Sequence, residues 1–181
     1  MNIERRRLLP SLLKHFGLPL IAVEVGVCGG SFSQELLEEG IEKIYCVDHW
    51  GHIPNVTGDG NYPDSWHDMT YKEYQKRFAE GYEGRVVTLK GLSSAMHKYI
   101  PDNSLGLVYH DSSHEYQTVV EDIYNYWPKL ISGGVFSAHD YNNLGYGVKQ
   151  AVDEYVAKHD LTLNHIPEDN PNCASVWFAK K

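Results

Sequence analysis

Apolar positions along this chain follow two patterns. Short continuous runs read as strands buried on both faces, and positions spaced three and four apart read as helices with one buried face. Leu9, Leu12, Leu13 and Phe16 fall on one helical face, with Pro10 near the start and Gly17 as the stop. Leu20 to Val25 is apolar apart from Glu24 and reads as a first strand. Ser31 with Gln34 forms a capping box that opens a helix ended by Gly40, and Ile44 to Val47 is a second strand closing on Asp48. A second capping box, Thr70 with Glu73, opens a helix to about Ala79. Arg85 to Leu89 and Leu105 to Tyr109 read as strands three and four. Tyr116, Val119, Val120, Ile123 and Trp127 mark the clearest helix; Pro128 restarts its last turn and Gly133-Gly134 ends it. Val135 to Ala138 is strand five, and Val148, Ala151, Val152 and Tyr155 line a further helix. Leu161 to Ile166 and Ala174 to Ala179 read as closing strands around the turn Pro167-Glu168-Asp169-Asn170-Pro171.

Strands that alternate with helices predict an α/β fold: one doubly wound, Rossmann-like domain over 1–181, with a mostly parallel seven-stranded sheet and a C-terminal antiparallel hairpin. Residues 1–19 form an N-terminal helical extension. Residues 49–68 stand apart as a long loop or lid, holding Gly51, Pro54, Gly58, Gly60 and Pro63 together with Trp50 and Trp66. In such a sheet the ligand crevice lies outside the carboxyl ends of the strands, so those ends carry the functional argument.

Composition narrows the classes. A chain of 181 residues supports one well-packed domain. With 16 Lys and Arg against 24 Asp and Glu, the net charge of -8 repels phosphate backbones and anionic membranes. Arg5-Arg6-Arg7 before Leu8-Leu9 has the flavour of a signal peptide, but Pro10, Lys14 and His15 break the apolar run, well short of the ~18 residues of a membrane span. Cys28, Cys46 and Cys173 form no C-x-x-C pair and suit a reducing cytosol. These features predict a cytoplasmic protein that binds neither nucleic acid nor membrane.

The first strand runs into Glu24-Val25-Gly26-Val27-Cys28-Gly29-Gly30-Ser31, directly before a helix. Glycines there let the backbone pass close under a ligand, and the helix start offers free N–H groups. Cys28 spoils the G-x-G-x-x-G dinucleotide fingerprint, and Glu24 would repel a pyrophosphate, which disfavours a dehydrogenase. A ligand with a cationic end suits Glu24; the plainer alternative is a tight turn with an incidental acid. Asp48 ends strand two, 48 − 26 = 22 residues beyond Gly26, near the ~20-residue offset at which an acid receives ribose hydroxyls. Together they ask for an adenosine-bearing ligand with a cationic end.

Glu24-x-Gly26-x-x-x-Gly30 followed by Asp48 resembles the cofactor motifs of class I S-adenosylmethionine-dependent methyltransferases. The runs Leu107-Val108-Tyr109-His110-Asp111-Ser112-Ser113-His114-Glu115-Tyr116, Trp127 to Val135 and Ala138-His139-Asp140-Tyr141 resemble the methyltransferase domain 24 family. That family is related to macrocin-type sugar O-methyltransferases and, more distantly, to catechol-type enzymes. The resemblance covers about residues 20 to 141. It implies that Glu24, Gly26 and Gly30 line the methionine end of the cofactor, that Asp48 holds the ribose, and that Leu92 and Ser93 lie by the adenine. Many relatives carry an acid where Leu92 stands; here Ser93 or a backbone amide could take its place beside the adenine.

Strand four ends in His110-Asp111 and strand five in His139-Asp140, bringing Asp111, His139 and Asp140 toward one crevice. Carboxylates with open positions suit Mg²⁺, and an added imidazole shifts the preference toward Mn²⁺. Metal-dependent relatives place acids at these strand ends, with His139 as the departure. His114, three residues beyond Asp111, stands where catechol-type relatives carry a catalytic lysine; as a neutral imidazole it would take the proton of an attacking hydroxyl, beside Asp111. The expected reaction is O-methylation of a small molecule such as a sugar or polyol, with S-adenosylmethionine as methyl donor and Mg²⁺ or Mn²⁺ as an optional aid. Two alternatives remain: a metal-dependent hydrolase built on His110-Asp111, His114 and His139-Asp140, and a non-catalytic cofactor-binding domain. His49, His52 and His67 lie in the loop within possible reach of the site, whereas His97, His159 and His165 read as surface residues. Trp50 and Trp66 either cover the ligand or anchor the loop, and Tyr124 and Tyr126 suit packing or an oligomer face. So small a chain needs its loop, its N-terminal helix or a second subunit, as in a homodimer, to close the site.

Overall fold

Seven strands form one sheet: β1 (Ile21–Val25), β2 (Lys43–Asp48), β3 (Val86–Lys90), β4 (Leu105–His110), β5 (Leu130–Ala138), β6 (Asn164–Ile166) and β7 (Ser175–Ala179). Their order is β3-β2-β1-β4-β5-β7-β6, and β7 alone runs against its neighbours β5 and β6. The computed structural model describes residues 3–56, 59–167 and 173–181. Gly58 and the expected turn from Glu168 to Pro171 lie outside the described residues. No helix among the described residues is long and apolar enough to cross a membrane.

Every residue of β4 is buried, as are the last four of β1, because helices cover both faces of the sheet centre. On one face α1 (Leu9–Phe16), α2 (Ser31–Glu38) and α3 (Asp64–Arg77) build a core around Leu9, Leu12, Leu36, Ile44 and Tyr109. On the other, α5 (Tyr116–Tyr126) and α6 (Val148–Lys158) pack Ile123, Tyr126, Val152 and Phe178 against Val23 and Val108, while the short α4 (Ser93–Met96) adds Met96. The chain winds outward from β1 through β2 to β3, then returns to β4 and winds the other way. The switch point of the sheet therefore falls between β1 and β4.

At that point two strand ends meet. The Asp111 N–H donates to the Val25 carbonyl at 2.8 Å, and a Cβ on Gly26 would lie 2.0 Å from the Asp111 carbonyl oxygen. Gly26 also sits at φ +89°, so both space and backbone conformation exclude a side chain.

Several elements depart from the expected boundaries. Gly30, not Ser31, is the N-cap of α2, at φ +80° and with no side-chain cap; Gln34 instead accepts from Arg77 Nη1 at 2.6 Å and donates to Glu38. α3 starts at Asp64, so Thr70 lies mid-helix, its hydroxyl donating to the His67 carbonyl, and the long loop ends at Pro63. Gly133-Gly134 do not end a helix but lie inside β5, where the Gly133 N–H donates to the Lys180 carbonyl and the Gly134 carbonyl accepts from the Lys180 N–H. Phe16, placed on the buried face of α1 by its spacing, is 49% exposed because the chain turns away at Gly17. β6 is shorter than expected, beginning at Asn164.

The contact between Gly26 and Asp111 gives a direct test. Gly26→Ala is expected to lower unfolding stability by roughly 3 kcal/mol or more, since backbone must move to admit the methyl group. Gly17→Ala, at φ +67° with nothing within 4 Å, should cost only about 1 kcal/mol. Urea denaturation of the two variants measures the difference.

Candidate active site

A cavity of about 460 Å³ opens at the carboxyl ends of the strands, a size in the ordinary range for small-molecule sites. Glu24, Gly26, Asp48, Leu92, Ser93, Asp111, His114, His139 and Asp140 all line it. Of the cofactor residues expected, Gly30 does not. A Cβ there would meet Phe78 at 2.7 Å and Tyr74 at 2.9 Å, so Gly30 makes room for α3 rather than for a ligand.

Asp48 organises the turn beneath the cavity. Its Oδ2 accepts from the Val27 and Cys28 backbone N–H groups, each at 2.8 Å, and its Oδ1 from the Trp50 N–H at 2.7 Å. The carboxylate thereby supports Cys28, which holds a positive φ of +52°. A carboxylate offers about four lone-pair positions, so three donors leave capacity for a ligand hydroxyl. The indole of Trp50 donates back to the Cys28 carbonyl at 2.8 Å and packs on Tyr71 and Tyr74 of α3. Trp50 is thus an anchor of the loop, buried at 3% exposure. Trp66 lines the cavity and packs on Tyr62.

Glu24 is buried beneath the turn and accepts a short hydrogen bond from Ser33 Oγ, which also lies 3.3 Å from Cys46 Sγ. Burial pushes the Glu24 carboxyl up to about 8; Asp111 and Asp48 add to the rise, while the Ser33 bond and Arg6 oppose it. A neutral carboxyl at the floor of a cavity gains most by ionising against an incoming cation.

Asp111, His139 and Asp140 converge as expected, offering donor atoms that all lie within 4.8 Å of one another. His139 Nδ1 is 3.2 Å from Asp111 Oδ1 and 3.3 Å from Asp140 Oδ2. Asp140 takes φ +55°, a left-handed conformation rare outside glycine. Two carboxylate oxygens and one imidazole nitrogen form a donor set that fits Mn²⁺ or Mg²⁺ with open positions. His114 joins the group: its Nε2 is 3.0 Å from Asp140 Oδ2, off hydrogen-bond alignment, and its ring stacks on Tyr146 at 4.1 Å. Burial pulls both imidazoles down, but the Asp111 and Asp140 carboxylates overcome it and raise each to about 9. The same pairs hold Asp111 at about 2 against its burial, and Asp140 below the usual carboxylate range. The neutral His114 expected from the sequence is therefore an imidazolium near neutrality while it faces these carboxylates.

His110 does not join the site. It points to the opposite face of β4, where Nε2 lies 3.1 Å from Asp122 Oδ2 and 3.1 Å from Ser112 Oγ, at 1% exposure. This removes one member of the hydrolase constellation. His49 and His67 line the cavity, while His52 turns away to the Tyr62 carbonyl. His97 packs on Tyr126, whose hydroxyl donates to the Ser93 carbonyl. Residues not assigned to the site from the sequence also reach the cavity, notably Arg6, Phe32, Tyr146 and Cys173.

Residues 23–141 match a protein family described as Methyltransferase domain. No curated protein matches the chain. Among solved structures, the O-methyltransferase NovP is 23% identical, with a TM-score of 0.72, over 97% of this chain and 77% of that one. The calicheamicin methyltransferase CalS11 is 16% identical, with a TM-score of 0.68, over 97% and 80%. An O-methyltransferase from Bacillus cereus in complex with SAH is 11% identical, with a TM-score of 0.64, over 96% and 80%. These likenesses agree with the observed α/β sheet.

Two measurements follow from this geometry. Asp48→Ala removes the acceptor of three backbone N–H groups and is expected to cost about 2 kcal/mol or more in urea denaturation. Glu24 keeps its proton in the folded state between its ordinary value of 4.5 and about 8, so its contribution is present below that window and is lost as pH rises through about 8. The Tm of Glu24→Gln should therefore gain on the natural protein from about pH 5 to about pH 9. Parallel Tm–pH curves would show that Glu24 ionises normally.

Proposed function

The chain belongs to the methyltransferase-domain family, of the class I S-adenosylmethionine-dependent type, and from that premise we propose that it transfers the methyl group to a hydroxyl oxygen of a small molecule. A sugar or polyol, offering neighbouring hydroxyls, is the class that suits the site. The observation that carries this reading is the meeting, in one cavity, of Glu24 and Asp48 with the Asp111, His139 and Asp140 group. The first pair suits a ligand with a cation at one end and a ribose at the other. The second group suits an oxygen-bearing acceptor.

S-adenosylmethionine supplies a methyl group on a sulfonium, which leaves as the acceptor oxygen attacks from the far side and the sulfur keeps the bonding electrons. This chain contributes alignment and proton handling. Asp48 offers its remaining acceptor capacity to the ribose, and Gly26, by letting the turn after β1 meet the Asp111 backbone, shapes the cavity where β1 and β4 part. Asp111, His139 and Asp140 would hold a divalent cation, whose charge would orient acceptor oxygens and relieve His114 of the carboxylates that keep it protonated. His114, stacked on Tyr146, is then placed to accept the hydroxyl proton.

Isothermal titration of metal-free protein with S-adenosylhomocysteine, repeated with Mg²⁺ or Mn²⁺, tests the reading. Saturable binding is expected. His139→Ala should keep that binding within about threefold yet weaken Mn²⁺ binding, and His114→Gln should lower methyl transfer by roughly 10²–10⁴-fold. Folded protein that binds no S-adenosylhomocysteine under either condition would refute the methyltransferase reading. Full transfer by His114→Gln would remove the base assigned here.

A further inference from the structure

Arg6 lies at the start of a short 3₁₀ turn, Arg6–Leu8, that leads into α1. Its guanidinium sits over the Phe32 ring, 4.7 Å from the centroid, and Nη1 donates to the Tyr109 hydroxyl at 2.9 Å. Phe32 and Tyr109 are both buried and pack against each other, so the guanidinium rests on a rigid platform. Its Nη1 also lies 3.8 Å from Asp111 Oδ2.

Charge makes this position unusual. Among the described residues that line the cavity, Arg6 is the one lysine or arginine, and it shares that cavity with Glu24, Asp48, Asp111 and Asp140. It is close enough to Glu24 for its charge to favour that carboxylate's ionised form. An α-amino acid carries an ammonium and a carboxylate on one carbon, so its receptor needs an anion and a cation side by side. Glu24 can serve the ammonium and would repel the carboxylate. A guanidinium, planar and with five N–H donors, pairs with a carboxylate through two of them.

We infer that Arg6 binds the carboxylate of the amino-acid end of S-adenosylmethionine, forming with Glu24 a receptor for that zwitterion. The inference rests on the cofactor assigned under the proposed function. It gives the N-terminal segment a part in ligand recognition, with Phe32 and Tyr109 as the residues that position the guanidinium.

The test compares three ligands on the natural protein, Arg6→Gln and Arg6→Lys by titration calorimetry. S-adenosylhomocysteine carries both charges, its decarboxylated analogue only the ammonium, and 5′-methylthioadenosine neither. The natural protein should bind S-adenosylhomocysteine at least about tenfold more tightly than the decarboxylated analogue. Arg6→Gln should weaken S-adenosylhomocysteine by roughly 10- to 100-fold and leave the other two within about threefold, with Arg6→Lys between. Equal weakening of all three ligands would reduce Arg6 to a structural strap, and unchanged S-adenosylhomocysteine binding would place its charge elsewhere; either overturns the inference. Should Arg6→Gln fail to fold, equal affinity of the natural protein for S-adenosylhomocysteine and its decarboxylated analogue would also overturn it. Failure of the cofactor assignment looks different: the natural protein then binds none of the three.

Discussion

The Asp48 carboxylate ties the second strand to the turn that follows the first, and much of the cavity depends on that tie. Its oxygens gather the N–H groups of Val27, Cys28 and Trp50. Without it, the positive φ of Cys28 would lose its support and the N–H groups of the turn would lose their acceptor. The indole of Trp50 closes the circuit on the Cys28 carbonyl and carries it into α3 through Tyr71 and Tyr74. One side chain thus sets the height of the glycine turn, the entry of the long loop and the seat of a helix. The acid proposed to bind a ribose is also the keystone of the site that would receive it.

A second organising principle is local charge compensation. Asp111 and Asp140 sit close together at the ends of neighbouring strands, where two bare carboxylates would repel. His114 and His139 answer them, and each pairing makes the acids more acidic and the imidazoles more basic. The cluster is balanced by protons that a divalent cation could replace, which links acid–base behaviour to metal binding.

The sheet was legible because β1 and β4 are buried on both faces and so appear as short apolar runs, while β2 still buries Ile44, Cys46 and Val47. The residues at their ends, Glu24, Asp48 and Asp111, could be placed because strand ends define the crevice of a parallel sheet. What escaped depends on distant contacts. The start of α3 was hidden because its inward face carries His67, Thr70 and Tyr74, which do not make an apolar stripe. Gly133-Gly134 looked like a stop, yet the Lys180 backbone pairs with them and extends β5. Gly30 seemed to serve a ligand, but the rings that need its space lie on α3, more than forty residues away. Arg6 could not be assigned at all, since its platform Tyr109 is 103 residues along the chain.

The acidic lining of the cavity has a cost for turnover. On the proposed reading, the ligand enters with a full positive charge on sulfur and loses it as the methyl departs. With Asp111 and Asp140 already paired to His114 and His139, it is Asp48, and Glu24 once ionised by the incoming cation, that favour the charged ground state. Whatever holds that sulfonium more tightly than the half-neutralised transition state raises the barrier it must cross. The same asymmetry loosens the neutral thioether left behind and so eases its exchange for fresh donor. Capture, transfer and product release therefore pull on one set of carboxylates, and no substitution among them can improve all three.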